Sequence, residues 1–283
     1  MLRKCADCGH DFALAKDRCP HCARPGLFPN VDMAELDEER KALDRRYRKA
    51  VQDARDRGCE DIVRSFEDHA GTSKAVIARP LWETMRLASG DHQVYSTYHQ
   101  QTEQELQVPD GSGWDPLRRV GEPALFGEYT REIRFGALTL DGTGVESYGE
   151  CSWVLRDDMI AHRASVFEEN ALTFMRRHRV QVAKVDKIPA GYRAAWEDRA
   201  KLCVAKLAGR INGTTSPQDF GALLVTPGRT SKDDEFVEVH IGGPLTVRAF
   251  KRVILNNSKR RRLLVRSLRR DLKRFAVPLE VVS

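Results

Sequence analysis

The chain has 283 residues, 41 % apolar and 31 % charged, a globular profile with too much apolar content for wholesale disorder and room for one or two domains. Lys and Arg outnumber Asp and Glu by 47 to 41, but residues 251–283 alone hold eleven basic residues against two acids, so the other 250 residues carry −3. No run approaches the ~18 consecutive apolar residues of a membrane span. The first five residues lead straight into a cysteine motif without the apolar region of a secretory signal, so a cytoplasmic protein without membrane contact is expected.

Residues 1–27 read as a zinc ribbon. Cys5, Cys8, Cys19 and Cys22 form two C-x2-C pairs ten residues apart, and each turn offers two thiolates to a tetrahedral zinc ion. Gly9 and Pro20 sit where the backbone must turn in each knuckle. So short a peptide buries too little surface to fold alone, and the metal supplies its folding free energy. Four thiolates close the shell, which makes this zinc structural and leaves His10 and His21 unneeded as ligands. The competing reading, a pair of redox dithiols, is disfavoured by the doubled motif. Cys59, Cys151 and Cys203 are dispersed, and an odd total with four cysteines crowded together suits a reducing compartment.

Residues 28–72 read as a helical connector. Asp32 and Glu35 have capping-box spacing, with Asp in place of Ser or Thr. Leu36, Leu43, Tyr47, Val51 and Ala54 then fall near one helical face, and the charges between them form a solvated surface. Gly58 interrupts the pattern, and Ile62, Val63 and Phe66 resume it in a second short helix. From residue 73 to 283 the texture changes. Residues 75–78 form a short apolar strand closed by Arg79-Pro80, with a helix from Leu81. Residues 94–98 are strand-like by content or else begin a helix through Leu106, and turns fall at 109–113, 141–144 and 227–228. Strands are expected over 149–155, 223–225 and 235–241, and helices over 192–207 and 259–275. The sum is an α+β protein: ribbon, helical connector, then a mixed α+β domain of short strands. No P-loop, dinucleotide-binding glycine fingerprint or catalytic zinc helix occurs, which removes several enzyme classes.

Two segments carry residues suited to chemistry. One runs Ser147-Tyr148-Gly149-Glu150-Cys151-Ser152-Trp153-Val154-Leu155 and, two residues on, Asp158-Met159-Ile160-Ala161-His162-Arg163-Ala164-Ser165. The other is Phe236-Val237-Glu238-Val239-His240-Ile241-Gly242-Gly243-Pro244-Leu245. Strand alternation in the second puts Glu238 and His240 on one face and three apolar residues on the other. A half-buried strand thus aims an acid and an imidazole into a cleft; the plainer alternative is a wet surface strand. Cys151 reads as a packed thiol, and His99, His162, His178 and His240 lack metal-ligand spacing.

Both segments resemble parts of the ADP-ribosyltransferase-like domains of bacterial toxins. There a Tyr-Gly strand precedes a Leu-ending strand and an Arg-Ala-(Ser/Thr) turn, and a late strand reads Glu-x-(Gln/His/Glu) before a Gly-Pro-Leu-like turn. The resemblance spans residues 79–254 and leaves out the ribbon and the basic tail. It implies an enzyme with NAD as substrate, in which Glu238 stabilises the oxocarbenium-like ribose formed as the nicotinamide bond breaks. By the same resemblance His240 stands where a Gln or Glu orients the acceptor, Ser152 braces the glutamate strand, and Tyr148 stacks on nicotinamide. An Arg is expected on the pyrophosphate. Arg79, Arg118 and Arg119 compete for that role, and Arg119 is preferred because an Arg-x-Gly turn lets backbone amides approach phosphate. Arg163 belongs either to a substrate-facing loop or to a local ion pair with Asp157 or Glu168.

The last constellation is the basic stretch 258–275. Leu264, Leu268, Leu272 and Phe275 recur at helical spacing, while Arg260, Arg261, Arg262, Arg266, Arg269 and Arg270 surround that seam. Such a helix docks by its seam and presents guanidinium groups to nucleic-acid phosphates. An acidic antitoxin or other inhibitor protein would fit the same patch, and a solvated helix without a ligand is the plain alternative. A membrane-surface helix would carry more aromatics than Phe275. The expectation is a toxin or defence enzyme that uses NAD to modify nucleic acid or a protein bound to it. Two other functions stay open. One is a non-enzymatic zinc-ribbon nucleic-acid-binding adaptor or regulator; the other is a nuclease toxin with His240 and Glu238 as acid and base.

Overall fold

A computed structural model describes residues 2–5, 8–13, 18–23, 28–97, 99–100, 121–123, 125–180, 188–229, 233–256 and 262–282. At the N-terminal end β1 (Leu2–Lys4) and β2 (Asp11–Ala13) pair antiparallel, with Leu2 opposite Ala13 and Lys4 opposite Asp11. Between them Gly9 adopts φ +69° and its N–H donates to the Cys5 carbonyl at 2.8 Å, closing the first knuckle.

α1 (Pro29–Ala34) begins on a proline, whose fixed φ suits a first helical position. Asp32 therefore lies inside α1, and the expected capping box with Glu35 is not formed. α2 (Asp37–Asp56) and α3 (Glu60–Thr72) are separated at Gly58, which takes φ +70°. These helices do more than connect. Leu43, Ala54, Val63, Phe66 and Ala70 are all buried in the main core. Nor is the charge on α2 wholly solvated: Glu39 is buried against Arg193 Nε at 3.2 Å, and Arg46 lies over the Tyr192 ring and pairs with Glu168.

The larger body continues through β3 (Lys74–Arg79), α4 (Leu81–Ala88), β4 (Ile133–Thr139), β5 (Cys151–Leu155), α5 (Asp157–Ile160), β6 (Ala164–Phe167) and α6 (Ala171–Arg177). It ends in β7 (Arg193–Ala195), α7 (Arg199–Leu207), α8 (Phe220–Leu224), β8 (Val225–Thr226), β9 (Glu235–Phe236), β10 (Glu238–Gly242), β11 (Phe250–Asn256), α9 (Arg262–Lys273) and β12 (Leu279–Val282). Three expectations shift. Residues 93–97 carry no regular element, and Tyr98 lies outside the described residues. The stretch 192–207 divides, because 193–195 find a pairing partner in β6, Trp196–Asp198 form a 3-10 turn and the α-helix starts at Arg199. Over 223–225, α8 runs to Leu224 and the strand starts at Val225.

Eight strands form one mixed sheet in the order β12-β11-β5-β3-β4-β10-β6-β7, antiparallel throughout except for the β11–β12 pair. That parallel pair requires a crossover, which α9 supplies. One face of the sheet, with Ile77, Leu138, Trp153, Val166, Val239, Ile241 and Val253, packs against buried side chains of α2, α3, α4, α7, α8 and α9. The other face carries smaller clusters: Val76 with Val154 and Ile254, Ala137 with Val145 and Phe236, and an aromatic group around Phe126, Phe167 and Phe174.

Candidate active site and metal centre

The four ribbon cysteines converge. The Sγ atoms of Cys5, Cys8, Cys19 and Cys22 all lie within 4.8 Å of one another, with Cys5–Cys22 at 3.4 Å and Cys8–Cys19 at 3.6 Å. Thiolates about 2.3 Å from a tetrahedral zinc ion would be spaced by about 3.8 Å, so the set fits such an ion. The group could hold a metal ion such as zinc, and four ligands leave no open position for a substrate.

β10 sits in the middle of the sheet, between β4 and β6. Its alternation sends Val239 and Ile241 into the aliphatic core and Glu238 and His240 to the opposite face, as the sequence pattern requires. That face is closed as well. Glu238 and His240 are each only 3 % exposed. His240 Nε2 lies 2.9 Å from Glu238 Oε2, and Asn170 Nδ2 donates to Glu238 Oε1 at 3.3 Å, so both carboxyl oxygens are held. The Asn170 carboxamide is used twice, since its Oδ1 accepts from Leu172 N at 3.0 Å and caps α6. Three rings enclose the imidazole: Phe126 edge-on at 4.6 Å, Phe135 edge-on at 5.2 Å and Phe167 stacked at 5.6 Å.

The two sequence segments meet here. Ser165 is the register partner of His240, and Phe167 that of Glu238. Arg163 is buried, and its Nη1 donates to the carbonyls of Gly242 at 2.9 Å and Pro244 at 2.7 Å, tying the Arg-Ala-Ser turn to the Gly-Gly-Pro-Leu turn. Neither expected ion pair of Arg163, with Asp157 or Glu168, is among its contacts. Burial and the nearby Arg134 hold its pKa below the usual arginine value.

Other proposed site residues lie apart. Ser152, on β5, is separated from β10 by β3 and β4, about 14 Å at usual strand spacing. Its Oγ instead accepts from Gly144 N at 2.9 Å and braces the 142–144 turn. Arg79, on β3, pairs with Glu83 Oε2 at 3.6 Å and lies 4.9 Å over the Tyr95 ring. Tyr148 comes closer to β10: its ring meets Phe236 edge-on at 6.4 Å, within the cluster that includes Ala137, the register partner of Glu238. Gly149 beside it has φ +146°, and a Cβ there would lie 2.1 Å from the Arg79 carbonyl carbon, so the Tyr-Gly pair is fixed by close backbone approach. Arg118 and Arg119 lie outside the described residues, as do Arg260 and Arg261. Arg262, Arg266, Arg269 and Arg270 are exposed on α9, whose Val265, Leu268 and Leu272 are buried; the expected seam residue Leu264 is exposed. Arg270 pairs with Asp271 at 3.4 Å.

Sequence reasoning missed several participants. Nothing near Asn170 in the chain points to position 238; the only signal was an Asn ahead of an apolar helical run. His99 lies 2.8 Å from Glu122, four residues before Phe126 in the chain. Around the Glu238 end, burial pushes the Glu169 carboxyl above its ordinary value, despite Arg177 at 3.1 Å, and pushes the Lys206 ammonium below its own. Among the described residues no helix is long and apolar enough to cross a membrane. Compared with known proteins, the chain matches no family model and no curated relative.

Proposed function

We propose that the protein is an NAD-dependent ADP-ribosyltransferase of the toxin or defence kind, with Glu238 as its central carboxylate and nucleic acid, or a protein bound to it, as its acceptor. The observation that supports this reading is the double restraint on Glu238, one oxygen held by His240 and the other by Asn170. Cleavage of the nicotinamide–ribose bond develops positive charge on the ribose, and nicotinamide leaves with the bonding electron pair. A carboxylate already fixed in a water-poor site stabilises that charge with little reorganisation. The acceptor then bonds to the ribose carbon and gives up a proton, for which His240 is the candidate base. Tyr148 is the candidate for stacking on nicotinamide, and Arg79, Arg118 and Arg119 remain candidates for the pyrophosphate. The ribbon thiols suit a cytoplasmic setting.

A second reading, a nucleic-acid-binding adaptor, is favoured by α9. Arg262, Arg266, Arg269 and Lys273 recur along one stripe of the helix, are exposed, and have no carboxylate partner among the described residues. One experiment separates the two. The purified chain is mixed with NAD, with and without nucleic acid, and nicotinamide release is measured. The enzyme reading expects release that falls about 100-fold or more in Glu238→Gln. Salt-sensitive nucleic-acid binding with no release, unchanged in Glu238→Gln, would replace it with the adaptor.

A further inference from the structure

Glu238 and His240 are almost fully buried, so a ligand of the size proposed above reaches them only after a cover moves. Resting on that reading of the site, we infer that the segment from Phe28 through α1 is a removable plug, which docks on the Gly242-Gly243 end of β10 and controls access to His240. Its docking surface is cut to fit. A Cβ on Gly242 would lie 2.6 Å from Phe28 Cδ1 and one on Gly243 3.2 Å from Phe28 Cε1, so the glycine pair is the groove that admits the ring. Phe28 also meets the His162 ring edge-on at 6.0 Å.

Behind the ring, Asn30 reaches between β6 and β10. Its Nδ2 is within hydrogen-bond range of His240 O at 3.0 Å, Arg163 O at 3.1 Å and Ser165 Oγ at 3.2 Å. An amide nitrogen has two hydrogens for those three acceptors, while Asn30 Oδ1 is buried with no partner among the described residues. Docking thus leaves one strong acceptor dry, and lifting the plug would hydrate it. The third contact is a latch: Tyr129 OH donates to Met33 Sδ at 2.6 Å, Tyr129 packs on Phe126, and Phe126 covers His240. Lifting α1 therefore loosens the ring nearest the imidazole.

The plug is also the weaker kind of element. α1 has six residues, no side-chain cap, and a break at Glu35-Leu36 before α2. Short units with few internal bonds open at lower free energy than the core around them. A central strand such as β10, bonded on both sides, cannot open in that way by itself.

The test is the rate at which diethylpyrocarbonate modifies His240 in the full chain, followed by peptide mass. In Asn30→Asp the carboxylate would face two carbonyl oxygens and be repelled, so modification should speed up about tenfold or more. Phe28→Ala, which removes only a half-buried ring, should speed it by a smaller factor and serves if the first variant does not fold. Hydrogen exchange in α3 and β3 should stay as slow as in the parent chain. Unchanged modification in both variants, or a rise matched by faster exchange in α3 and β3, overturns the plug. Nicotinamide release measured on the same samples decides the NAD reading separately. Release that is present, but equal in parent and variants despite faster modification, would also overturn the plug's control of access.

Discussion

β10 presents two faces made by the same alternation and held by different physics. On one, Val239 and Ile241 need only neighbours of the right volume, and the helical layer supplies them. On the other, Glu238 and His240 are just as buried but require a specific partner for each polar atom, and the partners come from β10 itself and from the α6 cap. The aliphatic face tolerates exchange of one hydrocarbon for another. The polar face does not, because an oxygen that loses its partner there has no water to replace it. A buried acid–imidazole pair in the middle of a sheet is costly, and that cost is the reason to read it as a site.

The comparison is broken most directly on the aliphatic side. Ile241→Ala removes a side chain with no solvent exposure and should lower unfolding stability by about 2–5 kcal/mol, measured by urea denaturation. Ile241→Leu should cost under about 1.5 kcal/mol. Equal losses in the two variants would mean that this face also depends on specific groups.

Much of this contrast was legible beforehand. The period-two pattern in 236–241 placed Val239 and Ile241 opposite Glu238 and His240, and the structure keeps that division. The C-x2-C pairs announced their convergence because metal-ligand spacing is local. The helix break at Gly58 and the strand-to-helix boundary at Arg79-Pro80 were legible because those residues act on their own backbone. Ser152 was misplaced because a strand's neighbours depend on sheet order, which no local pattern encodes: β3 and β4 both lie between β5 and β10. Asn170 and Asn30 escaped for the same reason, since each acts 68 or 210 residues away in the chain. The charges of α2 read as solvated because the contacts that bury Glu39 and partly cover Arg46 come from the 191–193 edge, about 150 residues away in the chain.

A double-mutant cycle sharpens the polar side. His240→Leu leaves Glu238 Oε2 without its imidazole and should cost about 1.5–3 kcal/mol. Glu238→Leu removes the acceptor instead. If the two side chains act as one unit, the double variant should be more stable than the sum of the single losses implies, with a coupling of about 0.5–3 kcal/mol in urea denaturation. Strict additivity would mean that the two residues are merely neighbours on a strand.

The smallest effect concerns Glu169, beside the site and one residue before Asn170. Burial raises its folded-state pKa above the ordinary value, while Arg177 and Lys206 pull the other way. The sign follows from linkage: the folded chain prefers the protonated carboxyl more than the unfolded chain does. Its contribution is fully present below the unfolded pKa, about 4.3, and is lost as pH rises through the higher folded value. Glu169→Gln keeps the shape and cannot ionise. The variant should therefore gain on the parent chain as pH is raised from about 4 toward neutrality, and the gap should stop growing once the parent carboxyl is fully ionised. Paired melting curves across that range measure it. A gap that moves the other way would show that the Arg177 ion pair, 3.1 Å away, outweighs burial, and that this edge of the polar face is held by charge.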